Sequence, residues 1–279
     1  MSINNSSVFA CPVCGKQLFK NEKTYLCKLG HCFDIASGGS VNLLLANHMN
    51  SHNPGDDKGM VNARSRFLSN GYYAPLREQL QALCVKYADN DTKMLDLGCG
   101  EGYYTGGVIK AIGSIYDKAR IGGIDISKSA IKLACKNANN AELAVASVFH
   151  LPVANASIDL ALNCFSPLCI DEIRRAIKKG GHFIYVVPGA KHLWELKSAI
   201  YESPYENEQK ETPYVGFEYC EIVHIQDFIH LACTEDIENL FKMTPYYWKT
   251  SAADSSKLLA KKELDTKIEF DIHIYKNCN

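Results

Sequence analysis

Cys11-Pro12-Val13-Cys14 is followed after twelve residues by Cys27, and His31 stands four positions further on. Pairs spaced this closely suit Zn2+, because a tight turn brings both side chains onto one tetrahedral ion. Gly15 after Cys14 and Gly30 before His31 relieve the backbone where those turns are sharp. Four protein ligands leave no open coordination position, so the expected ion is structural and not catalytic. Cys32 adjoins His31 and competes for the fourth place; His31 is preferred because Gly30-His31 completes the turn. Between the pairs, Gln17-Leu18-Phe19 and Thr24-Tyr25-Leu26 read as two short strands of a hairpin. Residues 1–45 thus read as a zinc ribbon with too little apolar bulk to fold alone, a shortage that a structural metal remedies.

A second constellation lies at Asp96-Leu97-Gly98-Cys99-Gly100-Glu101-Gly102, directly after the apolar run 93–97. A dinucleotide site points such glycines at a pyrophosphate, and an acid at the strand end is out of place beside phosphate. Asp96 suits instead a cofactor with a cationic ammonium group, such as S-adenosylmethionine. Ile121 to Ile124 form another apolar run ending in Asp125, 23 residues after Gly102, where an acid usually binds a ribose diol. Ala144 to Ser147 give a third short strand, with Ser147 and Val148 beside the expected adenine.

These groups must be positioned by a sheet. Residues 157–163 and 182–187 read as fourth and fifth strands, and helical runs separate the five. That rhythm predicts an α/β, doubly wound parallel sheet whose ligand lies beyond the carboxyl ends of its strands. Residues 46–91 read as a linker with helices. A turn falls at 52–56, then a helix over 57–70 has Met60, Ala63, Phe67 and Leu68 on one side. Arg64 and Arg66 take its other faces. Gly71 stops that helix, and Pro75 opens a second one over 75–88, with Leu76, Leu80 and Leu83 along one face. Tyr72 and Tyr73 occupy the joint. Residues 92–279 form the remaining, cofactor-binding domain.

Composition excludes several classes. No apolar run among the 279 residues approaches the roughly 18 needed to span a membrane. The N-terminal MSINNSSVFA lacks the basic start and apolar stretch of an export signal, so twelve cysteines point to reduced thiols or metal ligands in a cytoplasmic protein. The formal charge of −1 hides an asymmetry: residues 1–200 carry +6, residues 201–240 carry −9 and residues 241–279 carry +2. A mildly basic body permits a polyanionic partner without demanding one.

The DLGCGEGYYT turn, GIDIS, Leu151-Pro152 and the KKGG strand resemble the class I S-adenosylmethionine-dependent methyltransferases. The resemblance implies a seven-stranded, mostly parallel sheet whose last strand, 267–276, is antiparallel. More narrowly, CPVC…CKLGH, Phe33-Asp34-Ile35-Ala36, Val41-Asn42-Leu43-Leu44, Pro54-Gly55-Asp56, Gly71 to Leu76, Pro188 to Leu193 and Met243-Thr244-Pro245 resemble the RlmA family. These are 23S ribosomal RNA guanine-N1 methyltransferases, some of which confer macrolide resistance. The resemblance implies zinc at Cys11, Cys14, Cys27 and His31, and cofactor contacts at Tyr73, Gly100, Glu101 and His192. It also implies a homodimer and an RNA hairpin loop as substrate. Ser37 to Ser40 depart from the family's pattern.

The fourth strand ends in Asn163-Cys164-Phe165-Ser166-Pro167, which lacks the Asn/Asp-Pro-Pro-aromatic run of adenine amine methyltransferases. Cys164 is followed by Phe165, not proline, so cytosine C5 chemistry is not expected and Cys164 is a packing residue. Guanine N1 carries a proton near neutral pH, and a base must reach it. Glu195, three residues after His192, is the candidate base, and Asn163 the candidate for positioning the base edge. Lys16, Lys20, Lys23, Lys28, Arg64 and Arg66 are the expected contacts to RNA phosphates. The alternative is a small-molecule methyltransferase acting on quinone or lipid precursors, which leaves the ribbon without a task.

Overall fold

The protein is described here by a computed structural model covering residues 6–48, 55–209 and 214–279. In its N-terminal sheet the strand Thr24–Cys27 alternates half-buried and buried side chains, whereas Ser7 to Ala10 are buried without a break. β1 (Ser6–Ala10), β2 (Gln17–Asn21), β3 (Thr24–Cys27) and β4 (Cys32–Asp34) form a four-stranded sheet in that order, each pair antiparallel. The expected hairpin is β2–β3, in register from Leu18↔Cys27 to Asn21↔Thr24. β5 (Val41–Asn42) leaves this sheet to pair elsewhere.

The two linker helices form where expected. α1 (Lys58–Ser69) starts at Asp57, whose carboxylate accepts from Met60 N at 2.9 Å. It ends before Gly71, whose φ of 83° is one that glycine adopts without strain. α1 buries Val61, Ala63, Phe67 and Leu68; Val61 takes the place expected for Met60. α2 (Ala74–Lys86) has proline in its first turn and buries Leu76, Leu80 and Leu83. The turn expected at 52–56 lies partly outside the described residues.

The rest of the chain alternates strand and helix. The elements are β6 (Lys93–Leu97), α3 (Tyr103–Gly113), β7 (Arg120–Asp125), α4 (Lys128–Asn137), β8 (Glu142–Val145), β9 (Ile158–Cys164) and α5 (Ile170–Ala176). Then come β10 (Ile177–Pro188), α6 (Trp194–Ile200), β11 (Phe217–Leu231), α7 (Thr234–Lys242), α8 (Ala252–Leu259) and β12 (Leu264–Asn277). The main sheet runs β11-β12-β10-β9-β6-β7-β8-β5. β12 is antiparallel to both β10 and β11, whereas the pairs from β10 to β5 are parallel. The seven expected strands are therefore present with the reversed one where expected, and β5 adds an eighth through Val41↔Ala144 and Asn42↔Val145. No described helix is long and apolar enough to cross a membrane.

Successive strand residues point to opposite faces, so each face builds its own core. On one, Met94, Leu160, Leu162, Ile184, Val186, Ile268 and Ile272 pack against Phe67, Leu80, Val108, Leu196 and Leu240 of the helices. On the other, Leu95, Leu97, Ile124, Ile158, Phe183 and Tyr275 meet Val8, Phe9, Leu18 and Tyr25 of the ribbon. The ribbon is thus a layer of the molecule's core. Gly122 allows the approach, since a Cβ there would stand 3.1 Å from Val8 Cγ1. Glu142 at the start of β8 ties the layers together by accepting from Ser7 Oγ, Val8 N and Tyr25 Oη. Burial first, and then the neighbouring Glu142, push the Tyr25 phenol up, so it remains the donor in that contact.

Candidate functional site

The two sharp turns of the ribbon gather one group of donor atoms. Gly15 N donates to Cys11 O at 2.8 Å and Gly30 N to Cys27 O at 3.0 Å, closing each turn. Cys11 Sγ and Cys27 Sγ lie 3.5 and 3.3 Å from His31 Nδ1, and Cys14 Sγ lies 3.7 Å from Cys27 Sγ. All four ligand atoms fall within 4.8 Å of one another. A tetrahedral ion with metal–sulfur bonds of ~2.3 Å has ligand edges of about 3.8 Å, so the donor set fits zinc. His31 belongs to this group, whereas Cys32 is exposed on β4 opposite Leu26.

The second site lies at the carboxyl ends of β6 and β7. Gly98, Gly100 and Gly102 all have left-handed backbone, with φ of 82°, 56° and 84°. Asp96, only 2% exposed, accepts from Thr105 Oγ1 at 2.6 Å through Oδ2, while its Oδ1 has no partner. Glu101 is 3% exposed, and its Oε2 is likewise buried without a partner. Asp125 accepts from Gly100 N at 3.0 Å and from Ser127 N at 2.8 Å, which locks the turn onto the end of β7. Burial pushes the Asp96 carboxyl up to about 7, and burial likewise raises Glu101 and Asp125. Buried acceptors without donors are costly, and a cluster of carboxylates more so. A ligand carrying positive charge and N–H donors relieves both costs, so these residues fit an amino-acid sulfonium cofactor.

Tyr73 and His192, far apart in sequence, meet. Tyr73 Oη lies 3.2 Å from His192 Nε2, and both residues are buried. Glu269 N donates to His192 Nδ1 at 3.1 Å, so Nδ1 is unprotonated and Nε2 carries the ring proton. Burial, then the charge of Lys197, push the His192 imidazole down to about 3, so it is neutral. The imidazole therefore donates to Tyr73 Oη, leaving the phenol proton to point elsewhere. Phe270 backs the pair, its ring centroid 4.9 Å from Tyr73 and 4.8 Å from His192. Tyr104 connects this pair to the glycine turn. Its hydroxyl is buried beside the Cys164 thiol, and burial followed by Cys164, Tyr73, Tyr103 and Glu101 holds it strongly protonated.

The remaining expected residues divide. Ser147 lies two residues past β8, buried, with Oγ accepting from Phe149 N at 3.2 Å. Asn163 is fully buried; its Oδ1 accepts from Ser166 N and its Nδ2 donates to Pro167 O, each at 3.2 Å. It therefore shapes the loop after β9 and does not stand free. Glu195 has another task than the one expected of it. Its Oε2 accepts from Lys267 N at 2.7 Å and Thr266 Oγ1 at 3.1 Å, fastening α6 to β12, so the carboxylate is committed and not a free base. Burial keeps the Cys164 thiol protonated, in keeping with a packing role.

A methyltransferase-domain family model matches residues 88–264, and a model of the RlmA N-terminal region matches residues 9–52. A 23S rRNA (guanine(748)-N(1))-methyltransferase of Streptomyces fradiae is 34% identical over 193 residues, covering 68% of this chain and 66% of its own. A provisionally named 23S rRNA (guanine-N(1)-)-methyltransferase of Bacillus subtilis (strain 168) is 30% identical over 279 residues, 96% of each chain. This chain belongs to the RlmA family. Its sheet is also similar to that of the Bacillus YcgJ protein, with a TM-score of 0.50 at 13% identity, over 72% of this chain and all but 1% of that one.

For this RlmA-family chain, one expected RNA contact needs correction. Arg64 turns inward from α1, its Nη1 2.6 Å from Asp56 Oδ2 and its charge facing Glu101 and Asp125. It offsets acids at the glycine turn. Arg66 is exposed and only 3.6 Å from Glu235, while Lys16, Lys20, Lys23 and Lys28 lie exposed on the ribbon. Thr105, Tyr104 and Arg64 were missed at the turn. Thr105 was within reach of sequence reasoning, because a hydroxyl three residues past the last glycine falls in the first helical turn facing the strand end.

Proposed function

We propose that this protein transfers the methyl group of S-adenosylmethionine to N1 of a guanosine in a hairpin loop of 23S ribosomal RNA. The observation that carries it is the pair of buried, partnerless acceptors, Asp96 Oδ1 and Glu101 Oε2, on the glycine turn of a chain that also assembles a Cys3His ribbon. S-adenosylmethionine supplies an electrophilic sulfonium methyl. Asp96 and Glu101 receive its ammonium side, Gly98, Gly100 and Gly102 let the backbone come close, Asp125 takes the ribose and Ser147 lies beside the adenine. Tyr73, held as a donor by His192, closes the site from α2. One structural zinc is held by Cys11, Cys14, Cys27 and His31. Residues 1–45 present the RNA, residues 46–91 cover the cofactor and residues 92–279 hold it. The setting is cytoplasmic, as the composition leads one to expect, and the assembly a homodimer, as the family resemblance implies.

The chain's own residues do three things: align the acceptor, exclude water and keep the cofactor's charge balanced. N1 would lose its proton to solvent and take the methyl carbon as the carbon–sulfur bond breaks, leaving a neutral thioether, so the methylated base stays neutral. N1 sits on the Watson–Crick edge, which requires an unpaired or extruded guanine. Asn163 acts here as a positioning residue through the loop it braces.

Purified protein given labelled S-adenosylmethionine and unmethylated 23S rRNA is expected to yield 1-methylguanosine on nucleoside digestion. Label entering only a cell lipid extract would establish the small-molecule alternative instead. Cofactor affinity should also depend on pH. An Asp96 carboxyl near 7 is about half protonated at neutrality, and a cationic ligand favours its ionised form. Calorimetry should therefore show S-adenosylmethionine binding tightening about tenfold from pH 6 to pH 8, then levelling. Asp96→Asn should bind more weakly and flatten the profile; an unaltered slope would remove Asp96 from the site. The stability sign is opposite. A carboxyl whose folded value is raised from 3.8 to about 7 loses stability as pH climbs between the two, because the unliganded fold disfavours its charge.

A further inference from the structure

Phe165 does not fit the packing around it, and the misfit falls beside the cofactor turn. It is one of four non-glycine described residues with left-handed backbone, at φ 59°, a region that costs an L-residue roughly 1–2 kcal/mol. Its side chain gains little in exchange, since 45% of the residue stays exposed. Strain of this kind persists only where the surroundings impose it, and it concentrates at working sites.

The surroundings do impose it. Asn163 Oδ1 accepts from Ser166 N, and Asn163 Nδ2 donates to Pro167 O, gripping the loop on its far side. Phe165 N donates to Val186 O at 3.4 Å. Ser166 rests on Gly98, so closely that a Cβ on the glycine would lie 2.5 Å from Ser166 Cβ. The ring is thereby held at the carboxyl end of β9, one residue from contact with the cofactor turn. It leans on Phe270 at a centroid distance of 5.7 Å, and Phe270 packs in turn on Tyr73 and His192. The ring therefore rests against a buried cluster of tilted and edge-on aromatic side chains, while 45% of the residue is open to solvent. Phe149, Phe228 and Trp248 are also exposed, but none has left-handed backbone or borders the glycine turn.

We infer that Phe165 is the platform on which the acceptor base stacks for transfer. An exposed aromatic ring on a backbone held in place offers an extruded planar base the stacking partner it loses on leaving the RNA, and such stacking is worth about 1–3 kcal/mol per base. That the base is a guanine rests on the function proposed above.

Phe165→Gly provides the cleanest test, because glycine adopts the same backbone without strain and removes only the ring. With 23S rRNA as substrate, kcat/KM should fall about 5- to 150-fold. Affinity for S-adenosylhomocysteine should stay within about twofold of wild type, and thermal stability should not drop. Phe165→Tyr should restore most of the rate. Undiminished RNA methylation by the glycine variant would overturn the inference while leaving guanosine methylation by the wild type intact. Equal loss of cofactor affinity in both variants would also overturn it, by showing a purely structural role. A wild-type enzyme that forms no methylguanosine would fail the functional proposal and, with it, this choice of base.

Discussion

Cys27→Ser is expected to abolish zinc binding and to destabilise far more than the ribbon itself. Structural zinc contributes on the order of 10–16 kcal/mol to the folding of small zinc modules near neutral pH, and three remaining ligands retain only part of that. Without the ion, β1 to β4 must rely on Val8, Phe9, Leu18 and Tyr25, and those side chains are also what covers Leu95, Leu97, Ile124 and Phe183. Unfolding the ribbon therefore uncovers one face of the sheet that carries the glycine turn. A net loss of even ~5 kcal/mol would lower the melting temperature by roughly 8–10 °C in a chain of this size. Metal analysis should fall from one zinc per chain to near none, with calorimetry reporting the shift. Cys32→Ser is the control: Cys32 is exposed and outside the donor cluster, so metal content and melting should hold. The reverse pattern, with zinc lost from Cys32→Ser and kept by Cys27→Ser, would refute the ligand set.

The sequence displayed what is local. Apolar runs ending in acids located β6 and β7, and knuckle spacing located the Cys3His cluster, because each signal is contained within a few residues. What it hid depends on distant partners. β5 is two residues long and carries no periodicity, and its place at the sheet edge is decided by β8. Arg64 was visible as a charge on a helix, but the inward pull of Asp56, Glu101 and Asp125 exists only once three segments converge. Glu195 was legible as a neighbour of His192, yet the backbone N–H that engages it belongs to β12, 72 residues later. Phe165 is the extreme case. Nothing in Asn163-Cys164-Phe165-Ser166-Pro167 announces a left-handed phenylalanine, because Asn163, Val186 and Gly98 impose that conformation together.

Gly98→Ala should be the most damaging single methyl group in the active site. Two costs add at that position. At φ 82° an L-residue is strained by roughly 1–2 kcal/mol. The new Cβ would also stand 2.3 Å from Ser166 Oγ and 2.5 Å from Ser166 Cβ, and only the first contact can be relieved by rotating the hydroxyl. Ser166 cannot retreat freely, because its N–H is held by the fully buried Asn163. Either the turn moves away from the proposed cofactor position, or the loop carrying Phe165 moves away from the proposed acceptor position. Both routes lower transfer, so kcat/KM should fall at least ~100-fold, corresponding to about 2.7 kcal/mol in the barrier. The two costs separate experimentally. Adding Ser166→Gly removes the collision and leaves the backbone strain, so the double variant should recover a large part of the rate but not all of it. If the single variant keeps wild-type cofactor affinity and rate, the turn is not seated against the loop as described, and the coupling between cofactor and acceptor sites through Gly98 and Ser166 is lost with it.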